Sequence, residues 1–151
     1  MRSDVLNTSS NSYGEQYDLL PYESITAAKT LDADDSGKVF TLDLAAGFTV
    51  TLPAIASVPE GWYVKIVVGT NCTSNDYIIT ENATYDTDII VSQINELETD
   101  TNTDGPSNTG HTTITLPNAT DTIGDTFDIW SNGTNYFVQG TTKLDAGAVL
   151  A

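Results

Sequence analysis

Phe48-Thr-Val-Thr-Leu-Pro53, Gly61-Trp-Tyr-Val-Lys-Ile-Val67 and Tyr77-Ile-Ile-Thr80 decide how this chain folds, because a shorter copy of the three returns downstream. The copy reads Thr112-Thr-Ile-Thr-Leu-Pro117, Gly124-Asp-Thr-Phe-Asp-Ile-Trp130 and Tyr136-Phe-Val138. Aligned on Leu-Pro and on Gly, Val64 matches Phe127 and Ile66 matches Ile129 on one face, and Lys65 matches Asp128 on the other. Alternation of apolar and polar residues is the mark of a half-buried strand, since successive side chains point to opposite faces. Pro53 and Pro117 lack an amide hydrogen and have a fixed φ, so each ends its strand. Asn132-Gly133 lies between two alternating runs and predicts a tight hairpin, because both residues accept positive φ. The reading is one three-strand β unit used twice, over 48–80 and 111–140. The second copy is shorter only in the loop before its last strand.

Upstream, Ile25 to Leu31 begins the β pattern, Asp32-Ala-Asp-Asp-Ser-Gly37 makes an acidic turn, and Phe40, Leu42 and Leu44 alternate with Thr41 and Asp43. Downstream, Ile89-Ile-Val91 reads as a short strand apolar on both faces, while Ser92 to Glu98 is ambiguous and admits one helical turn. Thr99 to Gly110 is the longest non-apolar run outside the termini, a binding element or simply a mobile loop. About eight strands at short spacing, with turn signals between them, predict an all-β domain, a small sandwich or barrel. The expected organisation is an N-terminal arm over 1–21, a β domain over 22–143 and a C-terminal tail over 144–151.

Met1 to Leu20 is rich in Ser, Asn, Asp and Tyr without a sustained period, so it cannot bury enough apolar surface to offset ordering entropy alone. Two readings stand open there, a disordered tail and an extended arm that orders on a partner. In the second, Tyr13, Tyr17, Leu19, Leu20 and Tyr22 are the anchors, packing on the partner or adding a strand to an exposed sheet edge.

The whole chain has 151 residues, enough for one domain that buries about 70% of its unfolded surface. Five Lys and Arg against 21 Asp and Glu give a formal charge of −16, which argues against nucleic acid or an anionic membrane as partner. Cys72 is the only cysteine and cannot form an internal disulfide. No basic start followed by an apolar run marks a signal peptide, and no apolar stretch approaches the roughly 20 residues that span a bilayer. Synthesis in a reducing cytoplasm is expected.

Few motifs point to chemistry. Asp100-Thr-Asn-Thr-Asp-Gly105 matches the opening of a calcium loop, with Asp100, Asn102 and Asp104 as the candidate ligands, but His111 stands where a bidentate Glu belongs. Asp32-x-Asp34-x-Ser36-Gly37 is a second such opening, with Asp43 at its far end. Solvated turns are the default for both. His111, the only histidine, reads as an ordinary surface imidazole, and Cys72 as an inert thiol with no basic neighbour in sequence. Trp62, Tyr63, Tyr77, Trp130 and Tyr136 admit a sugar-stacking platform, although aromatics in strands are more often packing partners. The Asn-x-Ser/Thr sequons reflect Asn and Thr richness. Gly-x-Ser-x-Gly and phosphate-loop motifs are absent, so no enzyme activity and no cofactor are expected.

Thr26-Ala-Ala-Lys-Thr-Leu-Asp-Ala-Asp-Asp-Ser-Gly-Lys-Val-Phe-Thr-Leu-Asp-Leu-Ala-Ala-Gly-Phe-Thr-Val-Thr-Leu-Pro53 resembles the opening of the capsid decoration, or cement, proteins of tailed bacteriophages. Trp62-Tyr-Val-Lys-Ile-Val-Val68, Asn95-Glu-Leu-Glu-Thr-Asp-Thr-Asn-Thr-Asp-Gly-Pro106 and Asn132-Gly-Thr-Asn-Tyr-Phe-Val138 are similar to the same group. The likeness spans roughly residues 25–140 and omits the first twenty; its opening block also resembles pieces of phage tail and fibre proteins. It implies a non-catalytic virion protein on the outside of the mature head. Such proteins commonly sit as homotrimers at threefold positions and clamp the major capsid protein between capsomers. A receptor- or carbohydrate-binding module of a phage tail fibre or spike is the alternative.

Overall fold

The alternation read in the sequence builds two β-sheets packed face to face. The computed structural model describes residues 20–97 and 105–151 in full, and residues 8–10 and 16–18 as strands. In chain order the strands are β1 (Thr8–Ser10), β2 (Gln16–Asp18), β3 (Tyr22–Ile25), β4 (Lys29–Thr30), β5 (Val39–Leu42), β6 (Thr49–Thr51) and β7 (Tyr63–Val68). Then follow β8 (Tyr77–Thr80), β9 (Ile90–Glu96), β10 (Ser107–His111), β11 (Thr113–Leu116), β12 (Thr126–Ser131), β13 (Tyr136–Thr142) and β14 (Val149–Leu150). One sheet has the order β10-β9-β13-β12-β7-β5-β3, and the other β14-β11-β8-β6-β4. The molecule is an all-β sandwich; its helical content among the described residues is two short 3₁₀ turns, Ala33–Asp35 and Ile55–Ser57.

From Tyr22 to Thr80 the chain alternates between the two sheets at every strand. β3, β5 and β7 lie side by side in the seven-stranded sheet and β4, β6 and β8 in the five-stranded one, all in parallel register. Parallel neighbours require a crossover, and here the crossover is itself a strand of the opposite sheet. Each strand buries one set of alternate residues, so Phe40, Leu42, Val64, Ile66 and Val68 meet Val50, Leu52, Tyr77 and Ile79 in one core. The second half runs back over this coil. β11 is antiparallel to β8 and β12 is antiparallel to β7.

The repeat holds for its first two strands and parts at the third. β6 and β11 both end in Leu-Pro within the five-stranded sheet, and β7 and β12 are neighbours in the seven-stranded one. Val64, Ile66, Phe127 and Ile129 all point inward with 0% exposure, as the alignment requires. Lys65 and Asp128 are cross-strand partners and bind at 3.0 Å. The third strands separate because their loops differ. Residues 69–76 let β8 cross to the other sheet, whereas residues 132–135 form a tight turn that folds β13 against β12. In that turn Gly133 has a φ of 82°, and Asn132 Oδ1 accepts from the amides of Thr134 and Asn135 at 3.0 and 2.7 Å.

Four expectations need correction. Ser92 to Glu96 makes no helical turn but extends the Ile90 strand, because Ser92 and Ile94 alternate inward with Ile90. Ser107 to Gly110, expected as the end of a loop, belongs to strand β10, paired antiparallel with β9. Residues 144–151 are more than a tail: Ala148 is buried, β14 pairs with β11, and the Ala151 carbonyl accepts from the amides of Thr112 and Thr113. Within 1–21, Thr8–Ser10 and Gln16–Asp18 pair antiparallel with each other, so this segment contains a hairpin where no period was legible.

Candidate binding surface

The outer face of the seven-stranded sheet is ordered by register into cross-strand rows. One row runs Tyr63, Trp130, Phe137, Val91 and Thr109, from β7 to β10. The next runs Lys65, Asp128, Gln139, Gln93 and Ser107. Trp130 and Phe137 stack at 5.9 Å between centroids with 22° between planes. Asp128 gathers its neighbours: the Tyr63 hydroxyl donates to Oδ1 at 2.5 Å and Lys65 Nζ lies 3.1 Å from Oδ2. Burial, then the bond and charge of Asp128, push the Tyr63 phenol up to about 12, so it stays a donor at neutral pH.

Where the rows reach β9 and β10 the face dips into a cleft of 470 Å³. Its floor and walls come from Val91, Gln93, Asn108, Thr109, Trp130 and Phe137, with Gln139 at the rim and no charged side chain in the lining. Gln93, Asn108 and Gln139 make no side-chain hydrogen bond among the described residues. Several loop amides are committed: Asn71 holds the Asp121 carbonyl and the Ile123 amide, Asn75 the Ala46 carbonyl and Asn118 the Ser74 carbonyl.

The buried polar groups serve the frame. His111 is not a surface imidazole; it is 2% exposed at the end of β10, with Nδ1 3.0 Å from the Thr113 carbonyl and Nε2 2.7 Å from Ser92 Oγ. A carbonyl only accepts, so Nδ1 carries the hydrogen and Nε2 accepts from the serine. Burial lowers its pKa below the ordinary imidazole value. Cys72 is buried, its thiol pushed up to about 12 by desolvation and by the charge of Asp121, whose carboxylate accepts from the Cys72 amide at 2.7 Å. Burial also raises Asp121 and Asp125. Glu81 accepts from the amides of Asp88 and Ile89, pinning the turn into β9.

Of the five aromatics read as a platform, three are core. Trp62, Tyr77 and Tyr136 are at most 1% exposed. The Trp62 indole donates to the Asp32 carbonyl, and the Tyr136 hydroxyl donates to that of Pro53 at 2.9 Å. Only Tyr63 and Trp130 lie on the outer face, joined by Phe137, which the sequence reading passed over. The hairpin signal at Asn132-Gly133 made β12 and β13 neighbours, but a two-residue turn there would set Asn135 opposite Trp130; the loop of residues 132–135 pairs Ser131 with Tyr136 and puts Phe137 there instead.

At the opposite edge of the same sheet, β3 has, among the described residues, a neighbour on one side only. Leu20 and Tyr22, two of the five predicted anchors, stand there 75% and 63% exposed. Tyr13 and Leu19 lie outside the described residues, and Tyr17 is in β2. The calcium candidate Asp100, Asn102 and Asp104 also lies outside them. At the second calcium-like opening, Asp32 accepts from the Asp34 amide at 2.9 Å, and Asp35 accepts from the Asp32 amide and from Lys38. Those carboxylates cap a 3₁₀ turn. Asp43 is held by Ser24 and Thr41, whose hydroxyls lower its pKa.

No family model, curated protein or solved structure matches this chain.

Proposed function

We propose that this chain is a decoration, or cement, protein of a tailed-phage head, bound to the outer surface of the mature shell and stabilising it between capsomers. The observation that carries the reading is the β3 edge. An edge strand, open on one side among the described residues and with Leu20 and Tyr22 exposed, is where the N-terminal segment enters the sandwich, which suits strand addition and apolar anchoring on a partner. The sequence resemblance supports the same partner, the major capsid protein, and a homotrimeric arrangement around threefold positions. The charge of −16 supports the outside of a DNA-filled shell over its inside, and leaves nucleic acid and anionic membranes as poor partners. The buried carboxylates Glu81, Asp86, Asp121 and Asp125, each holding backbone amides, support a structural protein over an enzyme. On this reading the chain is made in the bacterial cytoplasm and resides in the virion.

Two measurements test the proposal. Quantifying the chain in purified particles should give hundreds of copies; a handful would move it to a tail fibre or spike. Removing residues 1–20, and separately changing Tyr22→Ala, should abolish or weaken binding to shells that lack the protein while leaving the thermal melt unchanged. Unchanged attachment in both variants would remove the β3 edge from the argument.

A further inference from the structure

We propose that the cleft between β10 and the Trp130–Phe137 pair is a binding site for a neutral oligosaccharide. The volume of 470 Å³ falls within the range of small-molecule sites, roughly 300–1,000 Å³. A pyranose ring offers two kinds of surface, an apolar patch of C–H groups on its faces and a rim of hydroxyls that both donate and accept. The cleft offers the complement of each. Trp130 and Phe137 supply aromatic surface with Val91 beside them, and the adjacent row supplies Gln139 and Gln93, with Ser107 across from Gln93 on β10. An amide presents an oxygen acceptor and two N–H donors, so it meets a hydroxyl in either role.

The uncommitted state of Gln93 and Gln139, side by side on adjacent strands, points to a ligand. On the same molecule Asn71, Asn75, Asn118 and Asn132 each satisfy backbone groups of a loop, whereas Gln93 and Gln139 satisfy none among the described residues. Charge decides the class of sugar. In a chain of −16 the cleft carries no charged lining residue, and the nearest ion pair on its row, Lys65 with Asp128, is closed on itself. A sialylated or sulfated glycan would find no counter-charge and would meet the negative field of the whole molecule. A neutral one loses nothing.

The site stands apart from the capsid reading. From β3 it is three inter-strand steps of about 4.8 Å to β12, the near side of the cleft, and six to β10, its far side, which sets the cleft about 14–29 Å from the anchoring edge. A chain attached by the first edge leaves the second free.

The test titrates the full chain with neutral oligosaccharides built from glucose, galactose, mannose and N-acetylhexosamines, beside sialylated and sulfated counterparts, by calorimetry and tryptophan emission. At least one neutral series is expected to bind, with the acidic counterparts at least about tenfold weaker, a gap of about 1.4 kcal/mol. Trp130→Ala should weaken binding at least tenfold, and Gln93→Ala and Gln139→Ala should each weaken it severalfold. Tyr22→Ala should leave it unchanged. Should Trp130→Ala fail to fold, the two glutamine variants decide, because those side chains are exposed. The proposal is overturned if no neutral saccharide binds in the millimolar range, if acidic glycans bind as well, or if both glutamine variants bind like the parent.

Discussion

Gly140 faces inward on β13 between Phe127 of β12 and Ile94 of β9, its partners in register. A methyl group added there would lie 2.6 Å from Ile94 Cδ1 and 2.7 and 2.8 Å from Phe127 Cδ1 and Cε1. Carbon atoms rest at about 3.5–4.0 Å, so the shortfall is about 1 Å on both sides. Neither neighbour has room to withdraw, since Phe127 is 0% and Ile94 1% exposed. Overpacking of this kind costs about 1–3 kcal/mol, which for a chain of this size lowers the melting temperature by about 2–12 °C. Gly140→Ala should therefore be folded but destabilised by that amount in thermal or urea unfolding. Ile94→Val removes the nearer contact atom and alone costs about 0.5–1.5 kcal/mol. In the double variant the two losses should fall short of their sum by at least about 0.5 kcal/mol, because the valine relieves one of the two clashes. A Gly140→Ala protein that melts with the parent would refute the packing argument, as would strict additivity.

Other expectations follow from the buried polar groups. His111 has a folded pKa below its ordinary value of 6.5, so the unfolded chain takes up the proton first. Its contribution to stability is complete above that value and is lost as pH falls from 6.5 toward the folded pKa. His111→Gln should flatten this part of the profile of melting temperature against pH, and a slope unchanged by the substitution would exclude the histidine as its source. Tyr136→Phe leaves the Pro53 carbonyl without its 2.9 Å donor in the core and should cost about 1–2 kcal/mol by urea denaturation. Tyr63→Phe, at the half-buried surface where Lys65 still serves Asp128, should cost less than about 1 kcal/mol. Cys72, buried and with its thiol pushed up to about 12, should resist a thiol-reactive dye in the folded protein and react only on unfolding; rapid labelling of the native chain would contradict its placement.

The strands were legible wherever one face is buried, because a period of two is written directly into residues such as Val64, Ile66, Phe127 and Ile129. Their assignment to sheets was not, since it depends on loop length and on what lies opposite rather than on alternation. A turn at Asn132-Gly133 was legible, but the four-residue loop that pairs Ser131 with Tyr136 was not, and the pairing of Tyr136 with Ile90 is set by a parallel neighbour distant in sequence. Ser92 reads as polar and therefore as surface, yet it is buried because His111 reaches it from β10. That contact spans 19 residues and carries no local signal. The cleft was hidden for the same reason. Trp130 was visible as an aromatic, but Gln93 and Gln139 become a pair only when β9 and β13 lie side by side.

The place of β13 in its sheet sets an order of assembly. β9 has two hydrogen-bonded neighbours, β10, which follows it, and β13, which is made later. Residues 22–80 can wind their parallel coil as they leave the ribosome, each strand finding the one laid down two before it. Ile90–His111 has no such place to go: until Tyr136–Thr142 is synthesised, the β9–β10 hairpin has no strand joining it to the larger sheet. β13 is thus a keystone, paired antiparallel on one side and parallel on the other. A nascent chain ending before it would carry the coil and a detached hairpin, with Val91 and Gln93 still apart from Trp130.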